Sequence, residues 1–248
     1  MDWVAALLAA IIGYLFGSLS FARLIVRMRG ADVDIERIEV PLAGGEVFVS
    51  DSVSASAVRM TLGRRFGCLT ALLDMAKVAI PVLALRLWAP DQPYYLIAAA
   101  AGLVGHDRPL FYGFKGGRGE SPIYGSLLVI NPVAVVGTTL LGALIGFVVG
   151  NILVLRWAGM ILLIPWLWVA TGDPWTVGYM VFADAVYLFA MRPELGQYGA
   201  MRTHGTDPTN EEIALEFGMG QALGRALDRY GLLPALARIG SGSNRPPR

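Results

Sequence analysis

Between residues 121 and 171 the chain carries a single charge, Arg156. As one α-helix this stretch would be about 76 Å long at 1.5 Å per residue, against a bilayer hydrocarbon core of about 30 Å. It must therefore turn back on itself, and Asn131-Pro132 and Gly150-Asn151 are the natural breakpoints. The rest of the chain is built in the same way. Of its 248 residues 55% are apolar and 16% charged, where a soluble domain carries about 25% charged residues. That balance excludes an ordinary soluble enzyme, a disordered chain, collagen and a coiled coil. The single cysteine, Cys68, excludes an internal disulfide. The implied class is an all-α, polytopic membrane helix bundle.

Seven apolar stretches are bounded by charges or by Pro/Gly breaks: 3–25, 68–88, 93–111, 119–130, 133–149, 152–171 and 175–191. The fourth is short for a full crossing, but counting it keeps the basic C-terminal region on the same side as the other basic segments. Arg27, Arg29, Arg37, Arg59, Arg64 and Arg65 lie between the first two stretches. Arg108, Lys115 and Arg118 follow the third, and Arg192, Arg202, Arg225 and Arg229 follow the seventh. The connections 90–92, 131–132 and 172–174 hold no Lys or Arg; Arg86 alone runs against the pattern. The positive-inside rule then places the N-terminus outside and the basic regions in the cytoplasm, for a multi-pass protein of the inner membrane. Trp3, Trp88, Trp175, Tyr94 and Tyr95 fall where an outer aromatic belt is expected. The early Asp2, with arginines only after the apolar run, describes a retained anchor rather than a signal peptide.

This pattern divides the chain into a transmembrane domain over 1–207, with cytoplasmic loops 26–67 and 106–118, and a C-terminal region 208–248. Within the first loop, 40–49 reads as a small hairpin centred on Gly44-Gly45. Residues 209–232 read as a surface amphipathic helix with Ile213, Leu215, Phe217, Leu223 and Leu227 on its apolar face. The tail 241–248 is expected to be disordered.

The densest chemical signal is Gly105-His106-Asp107-Arg108-Pro109-Leu110-Phe111-Tyr112-Gly113-Phe114-Lys115-Gly116-Gly117-Arg118-Gly119. Glycines around Lys115 and Arg118 let backbone N–H groups approach an anion closely. A helix starting near Gly119 would add a positive dipole end. Such a nest suits a phosphate group; the plainer alternative is that the two cations only anchor topology and touch lipid headgroups.

These residues resemble those of the bacterial acyl-phosphate glycerol-3-phosphate acyltransferases, whose second cytoplasmic loop reads Gly-His, Pro, Phe, then Phe-Lys-Gly-Gly-Lys-Gly. Gly105, His106, Pro109, Phe111, Phe114, Lys115, Gly116, Gly117 and Gly119 match, with Arg118 for the second Lys. Gly13-Tyr14-Leu15-Phe16-Gly17-Ser18 is similar to the family's first helix, and Thr61-Leu62-Gly63 with Leu72-Leu73-Asp74 and Lys77 to the entry of its second. Two further motifs are eroded. After a dozen or so extra residues, Ser50 and Ala55 meet family positions, Ser52 and Ala57 replace asparagines, and Met60 stands at an arginine position with Arg59 one residue early. In the third motif Leu195 and Tyr198 stand at the His and Asn positions, and Gly205-Thr206-Asp207 survives with Asp207 for a glutamate.

The resemblance implies seven crossings and transfer of an acyl chain from acyl phosphate to the 1-hydroxyl of glycerol 3-phosphate, giving lysophosphatidic acid and phosphate. An acyl phosphate is already activated, so the protein needs only to hold two anionic substrates and spread developing charge. Lys115, Arg118 and the amides of Gly116, Gly117 and Gly119 would cradle one phosphate, and Arg59 with Ser50 or Ser52 the other. His106 is either a general base or a hydrogen-bonding brace for the loop. Asp74 and Lys77, three apart inside the membrane, are expected to pair with each other. Asp207 is either a site acid or a solvent-facing turn residue, and Arg156 a structural cation. No cofactor, metal or nucleic-acid partner is expected: the histidines lie far apart, and Gly-Gly-Arg-Gly lacks the strand and spacing of a P-loop. The expected partners are acyl phosphate, glycerol 3-phosphate and membrane lipid. Two other classes stay open: a paralogue that binds acyl phosphate or anionic lipid without turnover, and a small anion transporter, which would favour charges at mid-membrane on several helices.

Overall fold

The computed structural model describes residues 1–42, 45–204, 208–217 and 219–240. In chain order the elements are α1 (Trp3–Gly17), α2 (Phe21–Met28), β1 (Ile38–Pro41), β2 (Val47–Ser50), α3 (Ala55–Leu62), α4 (Arg64–Trp88) and α5 (Tyr94–Asp107). A 3-10 turn (Leu110–Tyr112) precedes α6 (Glu120–Ile130), α7 (Pro132–Val149), α8 (Ile152–Thr171) and α9 (Pro174–Ala190). The chain closes with α10 (Arg192–Thr203), α11 (Asn210–Glu216), α12 (Gln221–Tyr230) and α13 (Leu232–Gly240).

The helix breaks follow local chemistry. The Asn131 side chain accepts from the Ala134 N–H at 2.9 Å, with Pro132 in the first turn of α7, so the break costs no exposed donor. Asn151 caps α8 through the Leu153 and Val154 amides, after Gly150 takes a left-handed φ of 71°. Asp173 caps α9; slight burial pushes its carboxyl up, but bonds from the Thr176 hydroxyl and the Trp175 and Thr176 amides outweigh this and hold it below the usual range.

Four segments are long and apolar enough to cross a membrane: Trp3–Met28, Arg64–Trp88, Pro132–Val149 and Ile152–Thr171. The packing is that of a multi-pass membrane protein. Val133, Val136, Leu140 and Leu144 form an exposed apolar stripe on α7, while Asp74, Lys77, Ser126, Thr138 and Thr176 are buried inside. That is the reverse of a water-soluble surface. Helix α6 has 11 residues and rises only about 16 Å. Its last turn is tied to the far end of α4 by Arg86, which donates to the Val129 and Ile130 carbonyls.

Three expectations need correction. The first apolar stretch is not one helix: it breaks at Ser18-Leu19-Ser20, because the Leu19 carbonyl is taken by the Lys77 ammonium (2.5 Å) and the Ser18 hydroxyl by the Leu110 amide (3.3 Å). Tyr94, expected among outward-facing belt aromatics, is buried against its own chain, its hydroxyl accepting from the Asp2 N–H at 2.8 Å. The C-terminal region is not one surface helix but α11, α12 and α13, turned at Gly220 (φ 93°). Its Ile213, Phe217 and Leu227 enter the main core, and Asn210 bonds the Ile152 amide and the Gly150 carbonyl at the α7–α8 turn. Residues 241–248 lie outside the described residues.

The hairpin is the one departure from an all-helical fold among the described residues. It pairs antiparallel in the register Ile38↔Ser50 and Val40↔Phe48. Phe48 stacks on Tyr198 of α10 with centroids 5.0 Å apart, and the Gln197 amide both donates to and accepts from Val49's backbone (2.7 and 2.8 Å).

Helices α1 and α5 touch backbone to backbone. A Cβ on Gly17 would fall on the Gly102 carbonyl, and one on Gly13 on the Ala98 carbonyl. Gly17→Ala is therefore expected to lower stability by about 1–3 kcal/mol, the usual cost of overpacking. Gly178→Ala, where a Cβ meets open space, serves as the neutral control. Thermal unfolding in detergent compares the two, and equal melting temperatures would refute the close contact.

Candidate active site

The loop 106–119 folds back on the end of α5. The Gly117 amide donates to the His106 carbonyl at 3.1 Å, and the Gly116 carbonyl accepts from the Val53 amide at 3.0 Å. A Cβ at Gly116 would strike the His106 and Asp107 carbonyls, and one at Gly117 the His106 ring nitrogen Nε2. These two glycines are needed for self-contact within the loop. The Gly117 amide is thus engaged by His106, which removes it from the donors open to an anion. Gly119, at φ 94°, caps α6, so that helix's N-terminus does begin beside Arg118.

A cavity of about 730 Å³ lies where this loop meets the hairpin's exit and the α9–α10 junction. Its inner wall is Arg118, which is 5% exposed. The Arg118 Nε donates to Glu194 Oε1 at 3.1 Å and Nη2 to Ser50 Oγ at 2.9 Å. Lys115, by contrast, stands at the rim with its side chain 73% exposed, 3.8 Å from Glu36. Arg192, also exposed, lies over the Phe189 ring at 4.7 Å and makes no ion pair among the described residues. The lining is mixed in sign, since Asp34, Glu36 and Asp51 share it with Arg37 and Arg108. Two buried polar atoms of lining residues, Ser52 Oγ and Glu194 Oε2, have no hydrogen-bond partner among the described residues.

Next to the cavity, sharing Gly116 and Gly117 with it, sits a small void lined by Asp74, Lys77 and His106. The Lys77 Nζ is 2.8 Å from Asp74 Oδ1 and 2.9 Å from His106 Nδ1. An ammonium donating to Nδ1 fixes the ring as the Nε2–H tautomer, an assignment made from the network. The loop contact of His106 runs through its backbone carbonyl, which accepts from the Gly117 amide, while the ring meets Lys77 through Nδ1.

Behind Arg118 lies a second guanidinium. Arg156 pairs with Glu120, donates to the Tyr187 hydroxyl at 3.4 Å, and lies 4.0 Å from the Phe217 ring centroid. The same ring is 5.0 Å from the Arg118 guanidinium.

Of the residues singled out from sequence, Ser50, Ser52, Lys115, Gly116, Gly117 and Arg118 are brought together, with Gly119 behind them. Arg59 is not: it sits on α3, packed by Gly67, with its guanidinium beside Gly220, and it does not line the cavity. Asp207 lies outside the described residues. Sequence reasoning missed Glu194, Arg192 and Phe217. Arg192 and Glu194 left one signal, a charged Arg-Pro-Glu cluster directly after an apolar helix.

These features define a helical multi-pass membrane protein with a guanidinium–carboxylate pair walling a polar cavity at one end of the bundle. The chain belongs to the glycerol-3-phosphate acyltransferase family, whose model matches residues 7–197. Among curated relatives, the glycerol-3-phosphate acyltransferase of Aquifex aeolicus is 32% identical over 128 residues, 51% of this chain and 60% of that protein. The one of Myxococcus xanthus is 36% identical over 133 residues, 52% and 62% respectively. The chain thus spans about three fifths of the length of these two relatives. The crystal structure of PlsY (YgiH), an integral membrane glycerol 3-phosphate acyltransferase, in its glycerol 3-phosphate form superposes with a TM-score of 0.64 at 25% identity, covering 82% of this chain and 94% of that one. Its lysophosphatidic acid form gives 0.63. Helices α11–α13 lie beyond the family match.

Proposed function

We propose that this protein transfers a fatty acyl group from acyl phosphate to the 1-hydroxyl of glycerol 3-phosphate at the cytoplasmic face of the inner membrane. The chain would cross seven times, through α1 and α4–α9, with its N-terminus outside. The observation that carries this reading is Arg118, buried between Ser50 and Glu194 in the wall of a cavity whose rim holds Lys115 and Arg192. The acceptor hydroxyl oxygen attacks the acyl carbon and the bond from that carbon to the phosphate oxygen breaks. Phosphate leaves with the electron pair, and the hydroxyl proton passes to phosphate or water. Fixed cations that meet the growing phosphate charge supply the catalysis. Lys115 and Arg192 hold substrate phosphates at the rim, Arg118 meets developing charge inside, and His106 keeps the loop in register.

A second reading is favoured by two specific observations. The Arg118 guanidinium is already bonded on two sides, and Arg59 is away from the cavity; a binder of acyl phosphate without turnover would have such a site. Purified protein given palmitoyl phosphate and glycerol 3-phosphate decides between them. The proposed activity requires phosphate release matched by lysophosphatidic acid. Binding without release supports the second reading, and neither overturns both. Lys115→Ala and Arg192→Ala are each expected to raise KM about tenfold, the worth of an exposed charge-assisted contact of about 1.4 kcal/mol. Their melting temperatures should stay at the wild-type value, because both side chains are exposed.

A further inference from the structure

We propose that Phe217, supplied by the segment beyond the family-matched residues, is a positioning residue for Arg118. Its buried ring lies under two guanidinium groups, its centroid 5.0 Å from that of Arg118 and 4.0 Å from that of Arg156. Each cation is held from its other side by a carboxylate, Glu194 for Arg118 and Glu120 for Arg156. Two largely buried like charges share one ring, and their repulsion is less screened than it would be at an exposed surface. The negative π faces offset that repulsion and draw both groups onto the ring. An aliphatic side chain of similar size fills the space but lacks the faces.

The segment that carries the ring is held at three points. The Phe217 carbonyl accepts from Ser56 Oγ of α3 at 3.0 Å. Helix α11 opens on a Thr209–Glu212 capping box, and Asn210 pins its start to the α7–α8 turn. The C-terminal segment thus completes the wall behind the candidate catalytic cation, between the two ion pairs.

This inference rests on the acyl-transfer reading, and the test separates the two. Phe217→Leu and Phe217→Trp are compared for kcat, KM, melting temperature and affinity for palmitoyl phosphate. The expected result is a roughly tenfold fall in kcat and a weaker affinity for palmitoyl phosphate in Phe217→Leu, at unchanged KM for glycerol 3-phosphate, with most of the rate regained in Phe217→Trp at equal melting temperature. Equal kcat in wild type and Phe217→Leu would overturn the inference, as would equal losses in the Leu and Trp variants. A wild-type protein without turnover removes the acyl-transfer reading instead. The affinity for palmitoyl phosphate then reads Arg118's placement directly, and identical binding by wild type and Phe217→Leu would end the proposal.

Discussion

Arg118→Ala is expected to reduce phosphate release at least a hundredfold and to destabilise the protein by about 3–5 kcal/mol, the cost of leaving one partner of a buried ion pair behind. The stranded partner is Glu194, 3% exposed, which loses its contacts with Nε and Nη2 while its Oε2 already lacks a partner among the described residues. The two effects separate in the double variant Arg118→Ala/Glu194→Gln. A neutral amide removes the uncompensated charge, so melting temperature recovers, while turnover stays lost because the buried cation that meets the leaving phosphate is gone. Recovery of turnover together with stability would show that Arg118 is only a structural cation. Arg118→Lys keeps the charge but not the fork that reaches Glu194 and Ser50 together, and its rate is expected between those of wild type and Arg118→Ala.

Lys77→Met is expected to cost a comparable 3–5 kcal/mol, enough to leave little folded protein after extraction. The Lys77 ammonium serves Asp74, His106 Nδ1 and the Leu19 carbonyl at once, and Asp74 is as buried as its partner. Removing both charges, in Asp74→Leu/Lys77→Met, is expected to be milder than the single change. Thermal unfolding in detergent measures both, and a single variant that melts with wild type would mean the pair is not a joint of the fold.

What was legible in the sequence was what a few neighbouring residues decide. The turns at Asn131 and at Gly150-Asn151 fall where expected, because an Asn cap, a proline and a left-handed glycine act within four positions. The hairpin declared itself through the glycine pair at its centre. The break at Ser18–Ser20 did not, because it is made by a lysine 58 residues away that takes a backbone carbonyl. Arg118 was visible in its motif, whereas Glu194 is 76 residues distant. Phe217 showed as an apolar position of an amphipathic helix, and helical periodicity cannot say what covers that face. Tyr198, at a position where the family resemblance led to an asparagine, stacks on Phe48 of the extra hairpin. The inserted strand and the replaced side chain are two halves of one contact.

The brevity of α6 has a consequence for where chemistry can take place. Gly125 rests against Met75 of α4, and both helices run toward Arg86. Along their axes Met75 is about 16 Å from the start of α4 and Gly125 about 8 Å from the start of α6. The floor carrying Arg118 is therefore sunk roughly 8 Å below the level at which α4 begins. On the acyl-transfer reading, a phosphorylated fatty acid can lower its head into that recess while its tail never leaves the neighbouring lipids, and a water-borne acceptor has to descend to meet it.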